Sequence, residues 1–226
     1  MQKQAVIIYG PPGSGKGTQA ELLARKYNFI HFDTGRYIES LVRAPGWEKS
    51  AILRRERHLF DTGKLCTPSW VSNMSKQFAE KVSKLGFGIV CSGSPRTLPE
   101  AFGSKENGFV KTLEKLYGKK NVTAIRLLVS EKASLARNSH RLVCSACGLP
   151  LLGNAKIKTC TFCAGKMRTR SLDKPEVIKV RLKEYQNRTM PILKGMKKRG
   201  LRTADINGEP LPYKVFESVK KTLKLK

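Results

Sequence analysis

The run Gly10-Pro11-Pro12-Gly13-Ser14-Gly15-Lys16-Gly17-Thr18 limits what this chain can fold into more than any other stretch. It follows the apolar segment Ala5-Val6-Ile7-Ile8-Tyr9, which reads as a buried strand. It leads into residues 18–26, which read as a helix with Leu22 and Leu23 facing inward. A strand, a glycine-rich turn and a helix N-terminus make a phosphate cradle. The glycines let successive N–H groups converge on one anion, and the helix dipole adds positive potential there. Lys16 then reaches the β- and γ-phosphates of a nucleotide. The usual pattern has Ser or Thr directly after the lysine, whereas here Gly17 intervenes and the hydroxyl belongs to Thr18. A glycine turn of purely structural use would need neither the lysine nor the strand before it.

The rest of the chain alternates in the same way. Strands are expected at residues 29–33, 88–93, 123–129 and 201–206, with helical stretches between them. Pro45-Gly46 marks a break, and an Asn207-Gly208 turn precedes a basic C-terminal helix. Trp70, Val71, Met74, Phe78 and Val82 recur at helical spacing and read as core. This alternation predicts an α/β fold, a parallel sheet with helices on both faces and its ligand at the carboxyl ends of the strands. Gly10, Asp33-Thr34 and residues 92–96 would meet there.

Cys144-x2-Cys147 and Cys160-x2-Cys163 are separated by twelve residues, the spacing of a closed, four-thiolate structural zinc site. Such a site is worth roughly 10–16 kcal/mol of apparent binding energy, enough to hold a small lobe with little core. A redox pair would use one Cys-x-x-Cys near a helix start. Gly148 and Gly165 suit the turns after each pair, and Cys66 and Cys91 read as core residues. The clustered cysteines, the lack of a signal-peptide pattern and the lack of an apolar run long enough to span a bilayer lead us to expect a cytoplasmic protein with no membrane association. Lys and Arg number 44 against 17 Asp and Glu, a net charge of +27. That surplus implies attraction to polyanions such as RNA, DNA or an acidic membrane surface. The alternative is a merely solvated basic surface.

The chain resembles a zinc-lid adenylate kinase over nearly its whole length. The carriers are residues 10–18, Asp33-Thr34-Gly35, Gly63-Lys64-Leu65-Cys66-Thr67, residues 92–97, Arg137-x3-Arg141, the four cysteines, Arg170 with Asp173, and Arg181-Leu182-x2-Tyr185. The resemblance implies a P-loop core (1–33, 66–137 and 175–226), a monophosphate-binding lobe (34–65) and a zinc-binding lid (138–174). It implies the reaction ATP + AMP to two ADP, with magnesium arriving with ATP, and a monomer is the simplest expectation. It puts Lys16, Arg96, Arg141, Arg170 and Arg181 in catalytic positions. ATP would meet Gly13, Ser14, Gly15, Lys16, Gly17, Thr18, Arg137 and Arg141. AMP would meet Thr34, Gly35, Arg36, Lys64, Cys66, Arg96 and Glu100. Arg137 and Arg141, four apart, are expected to share one face at a helix end, and Asp173-x-x-Glu176 to form a capping box.

This chain also departs from the family pattern. Ser92-Gly93-Ser94-Pro95-Arg96 stands where the family has Asp-Gly-Phe-Pro-Arg, so the carboxylate that orders water around magnesium is missing. Arg36 replaces an Asp, Glu39 an Arg that grips the AMP phosphate, and Glu100 a Gln that reads the base. Two alternatives follow: a kinase for another nucleoside monophosphate, or a catalytically weak nucleotide-binding protein that associates with RNA.

Overall fold

A computed structural model describes residues 3–103, 107–151 and 157–225. Five parallel strands, β1 (Ala5–Tyr9), β2 (Phe29–Phe32), β3 (Gly88–Cys91), β4 (Val122–Leu128) and a later strand, Arg202–Asn207, lie in the order β2, β3, β1, β4, Arg202–Asn207. Every strand expected from the sequence is present, with ends moved by at most two residues. β1 is central, paired from Ala5 to Ile89 of β3 and from Ala5 to Val122 of β4. Its side chains divide strictly: Ala5, Ile7 and Tyr9 enter one core layer, Val6 and Ile8 the other. A strand buried on both faces must be apolar throughout, which is why the run shows no alternation.

Helices cover both faces. On one side α1 (Lys16–Tyr27) packs Leu23 and the half-buried Leu22 against the sheet, and Gln19 Nε2 donates to the Pro212 carbonyl at 2.9 Å. The small lobe follows, with α2 (Thr34–Val42) and α3 (Ala51–Asp61) separated at Gly46. Then come α4 (Pro68–Lys84), α5 (Leu98–Phe102) and α6 (Phe109–Tyr117) on the opposite face. α7 (Glu131–Ser139) leads into a three-stranded antiparallel sheet made by β5 (Leu142–Cys144), β6 (Pro150–Leu151) and β7 (Met167–Arg168). Residues 152–156 of the expected lid lie outside the described residues. α8 (Pro175–Glu184) widens by one turn over Tyr185–Thr189 and continues as α9 (Met190–Lys198). The sheet closes with Arg202–Asn207, now β8, and the chain with α10 (Pro212–Leu223), packed beside α1.

Two local expectations need correction. The helix after Asp173 starts at Pro175 and receives no side-chain cap, because Asp173 is engaged by arginines instead. Gly165 is also not the left-handed residue of the second cysteine turn; Ala164 takes φ 56°. Gly165 is needed for room, since a Cβ there would sit 2.7 Å from Cys144 Sγ.

Candidate functional site

The site is built where β1 ends. Gly13 takes φ 75°, and a Cβ there would strike Asn138 Nδ2 at 2.6 Å, so the loop can press onto α7 only as glycine. α7 braces the loop from behind: Ser134 Oγ donates to the Pro12 carbonyl at 2.6 Å, and Asn138 Nδ2 to the Ser134 carbonyl at 2.7 Å. Gly15 precedes the helix in the left-handed region, which turns the first N–H groups of α1 toward the cleft. Lys16 folds back over its own loop, donating to the carbonyls of Gly10 (2.7 Å) and Pro11 (2.8 Å). Burial, followed by Arg96, Arg181 and Arg141, holds its pKa well below the usual lysine range.

Four guanidinium groups share that field. Arg96, at the end of the β3 loop, is fixed by its Nε on the Gly93 carbonyl at 2.7 Å. Arg141 grips Asp173 with two donors, one at 2.9 Å. Arg181 donates to the Leu172 carbonyl at 3.1 Å and stands 3.7 Å from Asp173. Arg170 reaches Glu39 at 4.0 Å. Burial, then Arg96, Arg170 and Arg141, drives Arg181 down to about 9, and burial and Arg141 lower Arg170. Five cations thus face three carboxylates, those of Asp173, Glu39 and Asp33. Like charges crowded in this way disfavour one another's charged forms, and a polyanion relieves the crowding.

The expected residues do not all gather there. Arg137 and Arg141 do not share a helix face: α7 stops at Ser139 and the chain turns away, a boundary the spacing could not reveal. Arg137 instead donates to the carbonyls of Gly208 (2.9 Å) and Glu209 (2.7 Å). Thr34 is buried and its hydroxyl finds no partner among the described residues, as is true of Ser94 Oγ, whose residue lines the cleft. Lys64 is exposed. Cys66 is core, its thiol pointed at the Glu56 carbonyl (3.6 Å) and pushed up to about 12 by burial and Glu56. Glu100 is buried, accepting from Arg96 N (3.0 Å) and Thr97 Oγ1 (3.1 Å). Burial raises it to about 7. Glu56, not singled out in the sequence, is a buried carboxylate that accepts from Thr67 N (2.8 Å) and ties α3 to the start of α4.

The substituted positions have partners of their own. Ser92 Oγ lies 2.7 Å from His31 Nε2, and His31 Nδ1 lies 3.3 Å from Glu21 Oε2. With Nδ1–H donated to Glu21, Nε2 accepts from Ser92, and the serine lone pairs are left as acceptors. Ser92 lines the same cleft as Lys16 and Arg96. On α2, Arg36 donates to the Cys147 carbonyl at 3.5 Å and lies against Gly148. Glu39 stands 3.6 Å from Arg168. The two residues that replace family ones on α2 therefore hold the cysteine lobe to the small lobe.

In that cysteine lobe Cys144, Cys147, Cys160 and Cys163 bring their sulfurs within 4.8 Å of one another. Cys144 and Cys163 are 3.4 Å apart, Cys147 and Cys160 3.8 Å. Four thiolates about 2.3 Å from one tetrahedral ion lie about 3.8 Å apart, so the cluster fits a metal. No helix among the described residues is long and apolar enough to cross a membrane.

The sequence pattern of the family described as adenylate kinase matches residues 8–201. An adenylate kinase of Methanothrix thermoacetophila is 32% identical over 222 residues, covering 96% of this chain and 97% of that one. Those of Lactobacillus helveticus and Lachnoclostridium phytofermentans are 33% and 30% identical, each over 95% of both chains.

Proposed function

This chain belongs to the adenylate kinase family, and from that premise we propose that it moves a phosphoryl group reversibly between ATP and AMP through residues 13–18, Arg137 and the Lys16–arginine cluster. The observation that carries the reading is the crowding of Lys16, Arg96, Arg141, Arg170 and Arg181 in one buried cleft, where burial and then the neighbouring arginines lower Arg181 to about 9. Charge is spread over three oxygens as a phosphoryl group passes between two nucleotides, so alignment and fixed positive charge do most of the work.

Lys16 leaves its loop carbonyls for the transferred phosphoryl group. Arg96 and Arg181 flank it from the core, and Arg141 and Arg170 from the lid, residues 138–174. Thr34, Gly35 and Arg36 offer the acceptor phosphate and sugar a wall, with Lys64 at its rim and Cys66 and Glu100 behind it. Arg137, braced on Gly208 and Glu209, presents its plane to the ATP base. Magnesium, arriving with ATP, supplies charge neutralisation across the phosphates, and Thr18, Asp33 and Ser92 are the residues to meet it. The metal of the four cysteines is zinc, held as a structural ion.

Glu39 and Glu100 favour a second reading, a different monophosphate as acceptor. One experiment separates them: ADP formation from ATP, magnesium and a panel of AMP, CMP, UMP and GMP, with Lys16→Ala as control. We expect AMP to be preferred and Lys16→Ala to lose at least about 10²-fold. A clear preference for another base overturns the AMP assignment, and turnover that survives Lys16→Ala overturns the site.

A further inference from the structure

The nucleotide cleft lies at the carboxyl ends of the strands and leaves the opposite end of the sheet without a function. All five strands start there, and α1, α4, α6, α9 and α10 all end there. The contacts confirm the gathering. Lys3, just before β1, donates to Ser83 near the end of α4 and lies 5.8 Å from the Tyr117 ring at the end of α6. Arg202, opening β8, donates to the Thr222 carbonyl at the end of α10. The Lys119-Lys120 turn before β4 abuts the end of α9: a Cβ on Gly200 would lie 3.5 Å from Lys119 Nζ.

The last turns that meet at this pole carry two basic residues each from α1, α4, α9 and α10 and one from α6. Five helix C-termini present only about −2.5 charges together, so capping accounts for a minor part of ~9 positive charges. Of the nearby carboxylates, Glu21 is paired by Arg25 at 2.9 Å, Glu114 by Lys111 at 3.6 Å and Glu217 by Lys220 at 2.8 Å, which leaves Glu80 on α4 as one acid against the remaining cations. Lys119, Lys120, Lys197 and Lys198 are exposed, Lys119 lies against Gly200 just after α9, and among the described residues none of them makes an ion pair.

We propose that this strand-start pole, centred on Lys119, Lys120, Lys197 and Lys198, docks the phosphate backbone of nucleic acid. The residue types favour the backbone over the bases. Lysines act as point charges on phosphate oxygens, whereas base recognition uses forked arginine contacts or aromatic platforms, and no exposed aromatic stands among these last turns. They also disfavour a membrane surface, which needs an apolar row beneath the charges. Leu85 is the single large apolar side chain strongly exposed in this region among the described residues. The pole and Lys16 are separated by the length of the sheet, about 23 Å for seven-residue β4. Nucleic acid and ATP therefore bind together. The proposal does not rest on the phosphotransfer reading.

The test measures anisotropy of a labelled 24-base-pair RNA duplex with the full chain from 50 to 200 mM KCl. Duplex DNA and anionic lipid vesicles run as parallel arms. One variant carries Lys119→Glu, Lys120→Glu, Lys197→Glu and Lys198→Glu. A second, equal in net charge, carries Lys49→Glu, Lys132→Glu, Lys179→Glu and Lys183→Glu. The Gln versions of the first set guard against misfolding, and nucleotide turnover reports an intact core. We expect the pole variant to weaken duplex binding at least tenfold and lower the log–log salt slope by about 3, with turnover unchanged. The control set should change binding less than threefold, and saturating ATP should not displace the duplex. Equal loss in both variants, displacement by ATP, or vesicle binding that depends on the pole more than duplex binding does would each overturn the proposal.

Discussion

Ser92 stands where the family resemblance leads one to expect a carboxylate, yet its hydroxyl is held by a chain of two further side chains rather than left to rotate. His31 fixes it from β2 at 2.7 Å and Glu21 orients the imidazole from α1 at 3.3 Å. A fixed hydroxyl with free lone pairs can do part of what a carboxylate does, by accepting from water around a nucleotide-bound cation. One such hydrogen bond is worth about 1 kcal/mol, so Ser92→Ala should cost about five- to tenfold in kcat/KM for ATP. His31→Asn should cost nearly as much. The double variant should be no worse than Ser92→Ala, since the histidine acts only through the serine. Additive losses would show that His31 acts elsewhere. Glu100 gives a second expectation. Its folded pKa, about 7, stands above its ordinary 4.5. Between those values the folded chain keeps a proton that the unfolded chain has released. Its contribution is therefore most favourable below about pH 4.5 and is lost as pH rises through 7, by at most roughly 3 kcal/mol. Urea unfolding of Glu100→Gln should fall less between pH 5 and 8 than that of the parent; parallel curves would refute it.

At the scale of elements, the cysteine lobe is the least self-sufficient part. Its strands are two or three residues long, and its buried cysteines are the ligand set itself rather than a core. Apart from the four-cysteine cluster it is held by the pairing of Arg141 with the buried Asp173, and by Arg36 and Glu39 of α2, whose contacts between partly exposed groups are worth at most about 1 kcal/mol each. Metal removal with a strong chelator should therefore raise amide exchange across residues 142–168 first and leave β1 and β4 protected, as mass spectrometry can show. Unchanged exchange in the lobe after verified metal loss would contradict this. The same elements show where the sequence was readable. Four of the core strands were legible because a two-sided parallel sheet demands apolar runs; the edge strand β8, exposed or half-buried everywhere but Ile206, was legible from its place before the Asn207-Gly208 turn, and the metal cluster because its ligands are close in sequence. The His31–Ser92–Glu21 chain was not, because its members lie on three elements that only the sheet brings together. Asp173 was misread because its spacing to Glu176 suits a cap equally well, and only the folded position of Arg141 decides which use wins.

For the whole molecule, the +27 surplus includes an outer pole and an inner ring, and the inner ring has a measurable consequence. Arg181 is a base whose folded pKa, about 9, lies well below the usual arginine range. The folded protein carries the full penalty for that charge below about pH 9 and recovers it only as pH rises from there toward the usual arginine range, so at neutral pH the buried guanidinium works against folding. Removing one charge should ease the crowding. Arg181→Gln, which keeps most of the side-chain volume, should melt at or above the parent temperature without ligand, although it loses a cation from the proposed site. Adding a polyanion should do for the parent what the substitution does for the variant, and more. ATP at 100 times its Kd contributes about 2.7 kcal/mol, a rise of roughly 5–10 °C for a chain of this size. Arg181→Gln should show less than half that shift at the same concentration. Calorimetry of both proteins at pH 7 decides the matter. A variant that melts well below the parent without ligand yet gains the full shift from ATP would mean that Arg181 supports the fold through Leu172 and Asp173, and that the phosphates are held without it.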